Sequence, residues 1–300
     1  MLSIIKSIAL HGLNGYLIST EVDVSFGMPN FEIVGLPDIT VKESKERIKT
    51  AIRNSGFDFP SRKIVVNLSP ANIRKEGSML DLPIAVGILI STGNIINSNL
   101  DDFLKDTIII GELSLNGNIE KINGILPMCI EAKKLGIKRI ILPKSNALEA
   151  CAIKGIDIFP ANNLIQIVDF LNGNCIMKKQ ENVVFSNHIS SEYEFDFSEV
   201  KGQENVKRAL EIAAAGGHNC ILIGSPGSGK TMLARRLPSI LPQISFEESL
   251  EVTKIHSICG LLSEENPFIL TRPFRSPHHT ITSVSLIRWW TYSKTSVKLV

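Results

Sequence analysis

Short apolar runs alternate with amphipathic stretches from the start of the chain to about residue 175. Val41, Ile48, Ala51 and Ile52 recur at helical spacing, so a helix running to about Asn54 turns one face inward. Thr40-Val-Lys-Glu43 reads as its capping box, Glu43 and Arg47 as an i,i+4 pair, and Gly56 as its stop. Lys63–Leu68 predicts a strand, and the nearly continuous apolar run Pro83–Ile90 a buried helix. Thr107–Ile110 and Glu112–Leu115 lead into Asn116-Gly117, a strong hairpin signal, with a return strand through Ile122. A helix follows from about Leu126 to Leu135, closed by Gly136. Then come a strand at Arg139–Leu142, a helix near Ala147–Ile153, and two last segments, Ile156–Phe159 and Asn163–Leu171. This mixed order with a hairpin predicts an α+β domain over residues 1–175 whose sheet is partly antiparallel.

Residues 176–197 are polar and lose the periodicity, as a linker does. A helix over Gln203–Ala215 opens a second domain, with Val206, Leu210, Ala213 and Ala214 on one side and Gly216-Gly217 at its end. Cys220–Ile223 is a short apolar run of the kind a buried strand requires. Immediately after it stand Gly224, Ser225, Pro226, Gly227, Ser228, Gly229, Lys230 and Thr231. They fit G-x-x-x-x-G-K-[ST], the phosphate-binding loop of nucleoside triphosphatases. The glycines let backbone N–H groups close around phosphate oxygens, along a path that a Cβ resists. Lys230 supplies charge for the β- and γ-phosphates, the Thr231 hydroxyl suits Mg²⁺, and a helix with Met232, Leu233 and Leu237 near one face starts here. The bare pattern arises by accident in roughly one chain of this length in a hundred. Strand, loop and helix in that order make accident the weaker explanation, so ATP with Mg²⁺ is the expected cofactor pair.

Composition adds limits. Three hundred residues suggest about two domains. A net charge of +2 gives no overall bias toward nucleic acid, so any such surface is local. The five cysteines (Cys129, Cys151, Cys175, Cys220, Cys259) are odd in number and scattered, and read as reduced, mostly buried thiols. His278 and His279 are adjacent, and adjacent side chains point apart, which argues against a metal site. The N-terminal apolar stretch is short and broken by Lys6, unlike a signal peptide, and no segment reaches the ~20 apolar residues of a membrane span. A cytoplasmic protein without a membrane partner is expected.

Residues 200–238, from Val-Lys-Gly-Gln-Glu-Asn through the phosphate loop to Arg-Arg-Leu-Pro, resemble the AAA+ module of the magnesium-chelatase-like YifB/ComM family. Arg272-Pro-Phe-Arg-Ser-Pro-His-His279 resembles another hallmark of that family. So do the N-terminal strings Phe31–Pro37, Asn67–Asn72, Gly124–Met128 and Ile140–Pro143. Several uncommon strings in the right order carry the resemblance across residues 1 to about 287. It implies a Lon-protease-like domain (ribosomal S5 domain 2-like) over 1–175, a linker over 176–197, and the start of an α/β P-loop AAA+ domain over 198–287. It also implies a hexameric motor driving branch migration of DNA junctions in natural transformation. Gly202 and Gln203 would flank the adenine, and Arg272–His279 would lie in an insertion facing the pore.

Lon-type hydrolysis needs a serine and a lysine that takes its proton. On the resemblance, the lysine position falls on Leu126 and the nucleophile position on Met79 or Asp81, with Ser78 adjacent. A leucine accepts no proton, so the N-terminal domain is expected to lack the dyad and to serve as a scaffold or DNA contact. Arg47, Lys49, Arg53, Arg272 and Arg275 are basic enough to touch DNA, but solvated faces carry such residues routinely.

The family's second motif is an apolar strand ending in Asp-Glu, which holds Mg²⁺ and orients water. After Thr231 the carboxylates are Glu247, Glu248, Glu251, Glu264 and Glu265, and none ends such a run. Walker B, sensors and arginine finger are therefore expected to be missing from a truncated chain, and turnover to be near background. An exposed apolar edge of the unfinished sheet and poor solubility follow. Residues 288–300, opening Arg-Trp-Trp-Thr-Tyr, stand where the family continues with glycines. They read as a frame-shifted tail, which an uninterrupted gene with no glycine-rich alternative downstream would refute. Magnesium insertion into a porphyrin and a non-catalytic nucleotide-binding module are the competing functions.

Overall fold

The computed structural model describes residues 2–181, 193, 195–276 and 297–298. Residues 182–192 of the linker, His278, His279 and most of the 288–300 tail lie outside them. The chain divides into two units, Met1–Val184 with Lys254–Pro267, and Phe185–Thr253 with Phe268–Val300.

The first unit is built on an alternation at the very start of the chain. β1 (Leu2–His11) and β2 (Asn14–Ser25) pair antiparallel from Leu2–Asp23 to His11–Asn14. Ile5 and Ala9 are buried in the core while Leu2 and Ile4 face solvent. β2 pairs antiparallel with β4 (Lys63–Ser69), which takes β3 (Asn30–Val34) parallel on its other side. β5 (Thr107–Ile109), β8 (Arg139–Pro143) and β9 (Asp157–Ala161) extend β1 in parallel, giving the order β3-β4-β2-β1-β5-β8-β9. β6 (Glu112–Leu113) and β7 (Ile119–Glu120) form the short hairpin around Asn116-Gly117, with Gly117 at φ 85°. The sheet is thus mixed, with β1–β2 and β2–β4 antiparallel and the other pairs parallel.

α1 (Ile39–Asn54) buries Val41, Ile48, Ala51 and Ile52 as expected. Its cap, however, is Asp38, whose carboxylate accepts from Val41 N at 2.8 Å, and the Thr40–Glu43 box lies inside the helix. Arg47 turns away from the expected partner Glu43 to Asp81. α2 (Asp81–Ser91) is buried on all sides through Ile90. It lies close on β2 because Gly87 has no Cβ; one would stand 2.6 Å from Val22 Cγ2. α3 (Leu100–Lys105), α4 (Ile125–Lys134), the single turn α5 (Ala147–Ala150) and α6 (Leu164–Leu171) complete the unit. α5 stops short of Ile153, and α6 is capped by Asn163 Oδ1 on Gln166 N.

The second unit contains α7 (Glu204–Gly216), α8 (Lys230–Arg236) running into a 3₁₀ turn at Leu237–Ile240, and the start of α9 (Phe246–Ile258). Phe197, Val200, Leu210 and Leu233 make its small core, with Val206, Leu237 and Ile240 packed against it. Met232, expected inward, is 39% exposed. The strand expected at Cys220–Ile223 does not form: Ile221 and Ile223 are 85% and 93% exposed. A strand exists only by pairing, and the ladder described in this unit joins β10 (Phe274–Arg275) to β11 (Val297–Lys298), so that among the described residues this run has no pairing neighbour. Cys129 and Cys151 are buried, but Cys220 and Cys259 are exposed, contrary to the expectation of mostly buried thiols.

Candidate functional site

The phosphate loop is folded although its preceding strand is not. Gly227 and Gly229 take φ of 79° and 84°, left-handed conformations that L side chains resist. A Cβ on Gly224 would come within 3.1 Å of Ser228 Oγ. Lys230 Nζ donates to Gly224 O at 2.9 Å, Ser225 O at 2.7 Å and Ser228 Oγ at 3.1 Å. The ammonium is thus held inside the loop's own curve. Gln203 Nε2 donates to Ser228 O at 3.2 Å, tying the start of α7 to the loop. Gly202 and Gln203 are both left-handed, at φ 70° and 57°, an uncommon conformation for glutamine. A cavity of about 500 Å³ opens here, lined by Gln203, Val206, Leu222, Gly224, Lys230 and Leu233 among others. Apolar walls beside a cationic loop suit a base joined to a polyphosphate. Ser225 and Ser228 also line it, whereas Gly202, Pro226, Gly227, Gly229 and Thr231 do not.

In the first unit, the residues that the resemblance places at the dyad positions each have other partners. Ser78 Oγ donates to Glu112, and no lysine ammonium hydrogen-bonds it among the described residues. Lys75, wholly buried, donates to Pro70 O, and burial holds its pKa below the ordinary lysine value. Met79 is committed through its carbonyl to Gly111 N at 3.0 Å. Asp81 receives Arg47 Nε at 2.8 Å and Nη2 at 3.2 Å, with Leu113 N at 3.4 Å. Burial outweighs these donors and pushes the Asp81 carboxyl up to about 6. Leu126 is fully buried, and its N–H goes to Glu149, whose carboxyl burial also raises. Asp81 thus ties α1, α2 and β6 into one corner.

Arg272 is engaged rather than free. It donates to Pro242 O at 2.8 Å and pairs with Glu248 at 2.9 Å. Glu248 in turn accepts from Ser245 N at 3.0 Å, and Ser245 Oγ accepts from Glu248 N at 3.2 Å. This is a reciprocal capping box that the sequence reading missed, although Ser245-x-x-Glu248 spells it. The Ser245 N–H and Arg272 hold the Glu248 carboxyl below its usual range. Among the described residues there is no group of three or more His, Cys, Asp or Glu placed to hold a metal ion, and no helix long and apolar enough to cross a membrane.

Two family models match the chain. Residues 20–146 match "Subunit ChlI of Mg-chelatase", and residues 196–291 match "Magnesium chelatase, subunit ChlI". The uncharacterized protein YifB of Escherichia coli is 40% identical over 286 residues, covering 95% of this chain and 55% of that protein. The competence protein ComM of Haemophilus influenzae is 37% identical over 297 residues, 98% of this chain and 57% of that protein. The archaeal Lon protease of Methanocaldococcus jannaschii is 29% identical over 121 residues, 40% of this chain and 18% of that protein. The chain spans about half the length of the YifB and ComM relatives it matches.

Proposed function

Because the chain belongs to the magnesium-chelatase-like family that includes YifB and ComM, we propose that it carries the nucleotide-binding part of an ATP-driven AAA+ motor acting on branched DNA during recombination and natural transformation. The observation that carries this reading is the folded loop with Lys230 already at the centre of its curve. Its residues fit a nucleoside triphosphate with Mg²⁺. The backbone amides of 225–230 would take the phosphate oxygens, Lys230 would exchange loop carbonyls for β- and γ-oxygens, and Thr231 would ligate the metal. Gln203 and Val206 would border the base. Bound there, the triphosphate supplies the phosphoanhydride bond whose hydrolysis drives such motors. A hexamer is the assembly proposed for the whole protein.

Binding and turnover separate in this chain. Glu247, Glu248 and Glu251 sit on α9 rather than at the end of an apolar strand. Glu248 is already held by Ser245 N and Arg272. Among the described residues after Thr231 no carboxylate lines the cavity at the loop, which favours, as the second reading for these 300 residues, a nucleotide-binding module without turnover. Titration with a fluorescent ATP analogue and Mg²⁺ tests both. Binding should weaken about 10- to 100-fold in Lys230→Ala, as expected for lost charge-assisted hydrogen bonds. Phosphate release should stay at background in both proteins. Affinity indifferent to Lys230→Ala would overturn the site, and Lys230-dependent phosphate release would overturn the second reading.

A further inference from the structure

Between β2 and β3 the chain turns through Phe26-Gly27-Met28-Pro29 and leaves two large apolar side chains in solvent. Phe26 and Met28 are each 88% exposed. The turn is supported from β4. The Arg62 guanidinium lies 4.6 Å from the Phe26 ring centroid, and Lys63 stands in register with Ser25 on one side and Asn30 on the other. Asn30 N donates to Arg62 O at 3.4 Å. Behind, the Phe31 and Phe59 rings meet at 5.9 Å and pack on the core, anchoring the two segments that carry Phe26 and Arg62. The exposed groups therefore sit on a fixed base.

Their charges are uncommitted. Arg62 and Lys63 form no ion pair among the described residues. Of the carboxylates in these segments, Glu32 accepts from Asn30 Nδ2 at 2.8 Å, and Asp58 precedes Arg62 by four residues. An aromatic ring with the Arg62 guanidinium beside it and Lys63 next along β4 offers a stacking face and two phosphate partners together. A protein-binding patch would rather be depleted of lysine at its centre.

We propose that Phe26, Met28, Arg62 and Lys63 form a contact for single-stranded DNA, one base stacking on Phe26 while Arg62 and Lys63 take the flanking phosphates. The choice of DNA rests on the motor reading above; the surface shares no residue with the phosphate loop. The test is fluorescence anisotropy of a labelled oligothymidylate with the 300-residue chain, without nucleotide, across a salt series. Phe26→Ala should weaken binding roughly five- to a hundred-fold, the range for losing one base–aromatic stack, and Phe26→Trp should retain it. Arg62→Ala/Lys63→Ala should flatten the slope of log K against log salt by about 1.4, two single-strand phosphate contacts at about 0.7 each. Both changes are at exposed positions, so circular dichroism and melting should match the parent. Parent-like affinity in Phe26→Ala, an unchanged salt slope in the double variant, or no measurable DNA binding by the parent overturns the proposal. Self-association abolished by Phe26→Ala with DNA affinity untouched would make the turn a protein interface and overturn it equally. Nucleotide affinity and its loss in Lys230→Ala are read separately, so failure of the loop and failure of this surface are distinguishable.

Discussion

Asp81 is the most consequential buried charge in the first unit, and replacing it with asparagine tests the account of that corner. The carboxylate is 1% exposed and receives a two-pronged Arg47, yet burial pushes its pKa from the ordinary 3.8 up to about 6. The folded chain therefore holds the proton more tightly than the unfolded chain. The contribution to stability is full below the unfolded value and is lost as pH rises through about 6. A difference of this size corresponds to about 3 kcal/mol, at about 1.4 kcal/mol per pH unit. Roughly 2 kcal/mol of it falls between about pH 4.5 and about pH 7.5. Asp81→Asn keeps the shape and removes the titration. Measured by urea unfolding, the stability of the variant relative to the parent should improve by about 2 kcal/mol across that interval. A flat difference, or a ¹³C carboxyl titration of Asp81 with its midpoint near 4, would refute the argument that burial outweighs Arg47. Asp81→Ala adds a separate cost of about 3–5 kcal/mol at neutral pH, because the Arg47 guanidinium loses its partner.

Gly229→Ala tests conformation rather than space. An added Cβ would meet Gln203 Nε2 at 3.5 Å and Met232 Cε at 3.7 Å, ordinary contacts, but φ of 84° is left-handed. A cost of about 1–2 kcal/mol should appear as nucleotide binding weakened about five- to thirty-fold, with the first unit's melting unchanged; parent-like binding would show that the loop relaxes elsewhere. Arg272→Ala removes the donor to Pro242 O and the partner of Glu248. The second unit should lose about 1–2 kcal/mol in chemical denaturation, and salt dependence of DNA binding should not change; a flattened salt slope would instead return Arg272 to the DNA contacts.

What was legible in the chain divides along a physical line. Elements specified by their own residues came through: the buried run of α2, the inward face of α1, the glycine stop at Gly56 and the turn at Gly117. The conformation of Gly224–Thr231 is likewise local, with Lys230 donating to Gly224, Ser225 and Ser228 within eight residues. Features chosen by distant residues did not. Arg47 has Glu43 one turn away, but Asp81, across the α1–α2 contact, is the partner it meets. The α1 cap is the exception to that line: Asp38 is as local as Thr40, and its carboxylate is the one that reaches Val41 N.

Cys220–Ile223 shows the same division from the other side. Apolarity says that a segment gains by burial, but a strand also needs N–H and C=O partners from another strand. The described residues provide none to this run, and its two isoleucines remain in solvent. The loop that follows needs no such neighbour, since Gly227, Gly229 and the Lys230 contacts shape it locally. Phosphate recognition can therefore be preformed while the wall beside it is open, and affinity for the base should be weaker than affinity for the polyphosphate. Inorganic tripolyphosphate should thus compete with ATP nearly as well as ADP does; competition at least a hundred-fold weaker would mean that the base side of the cavity is already built.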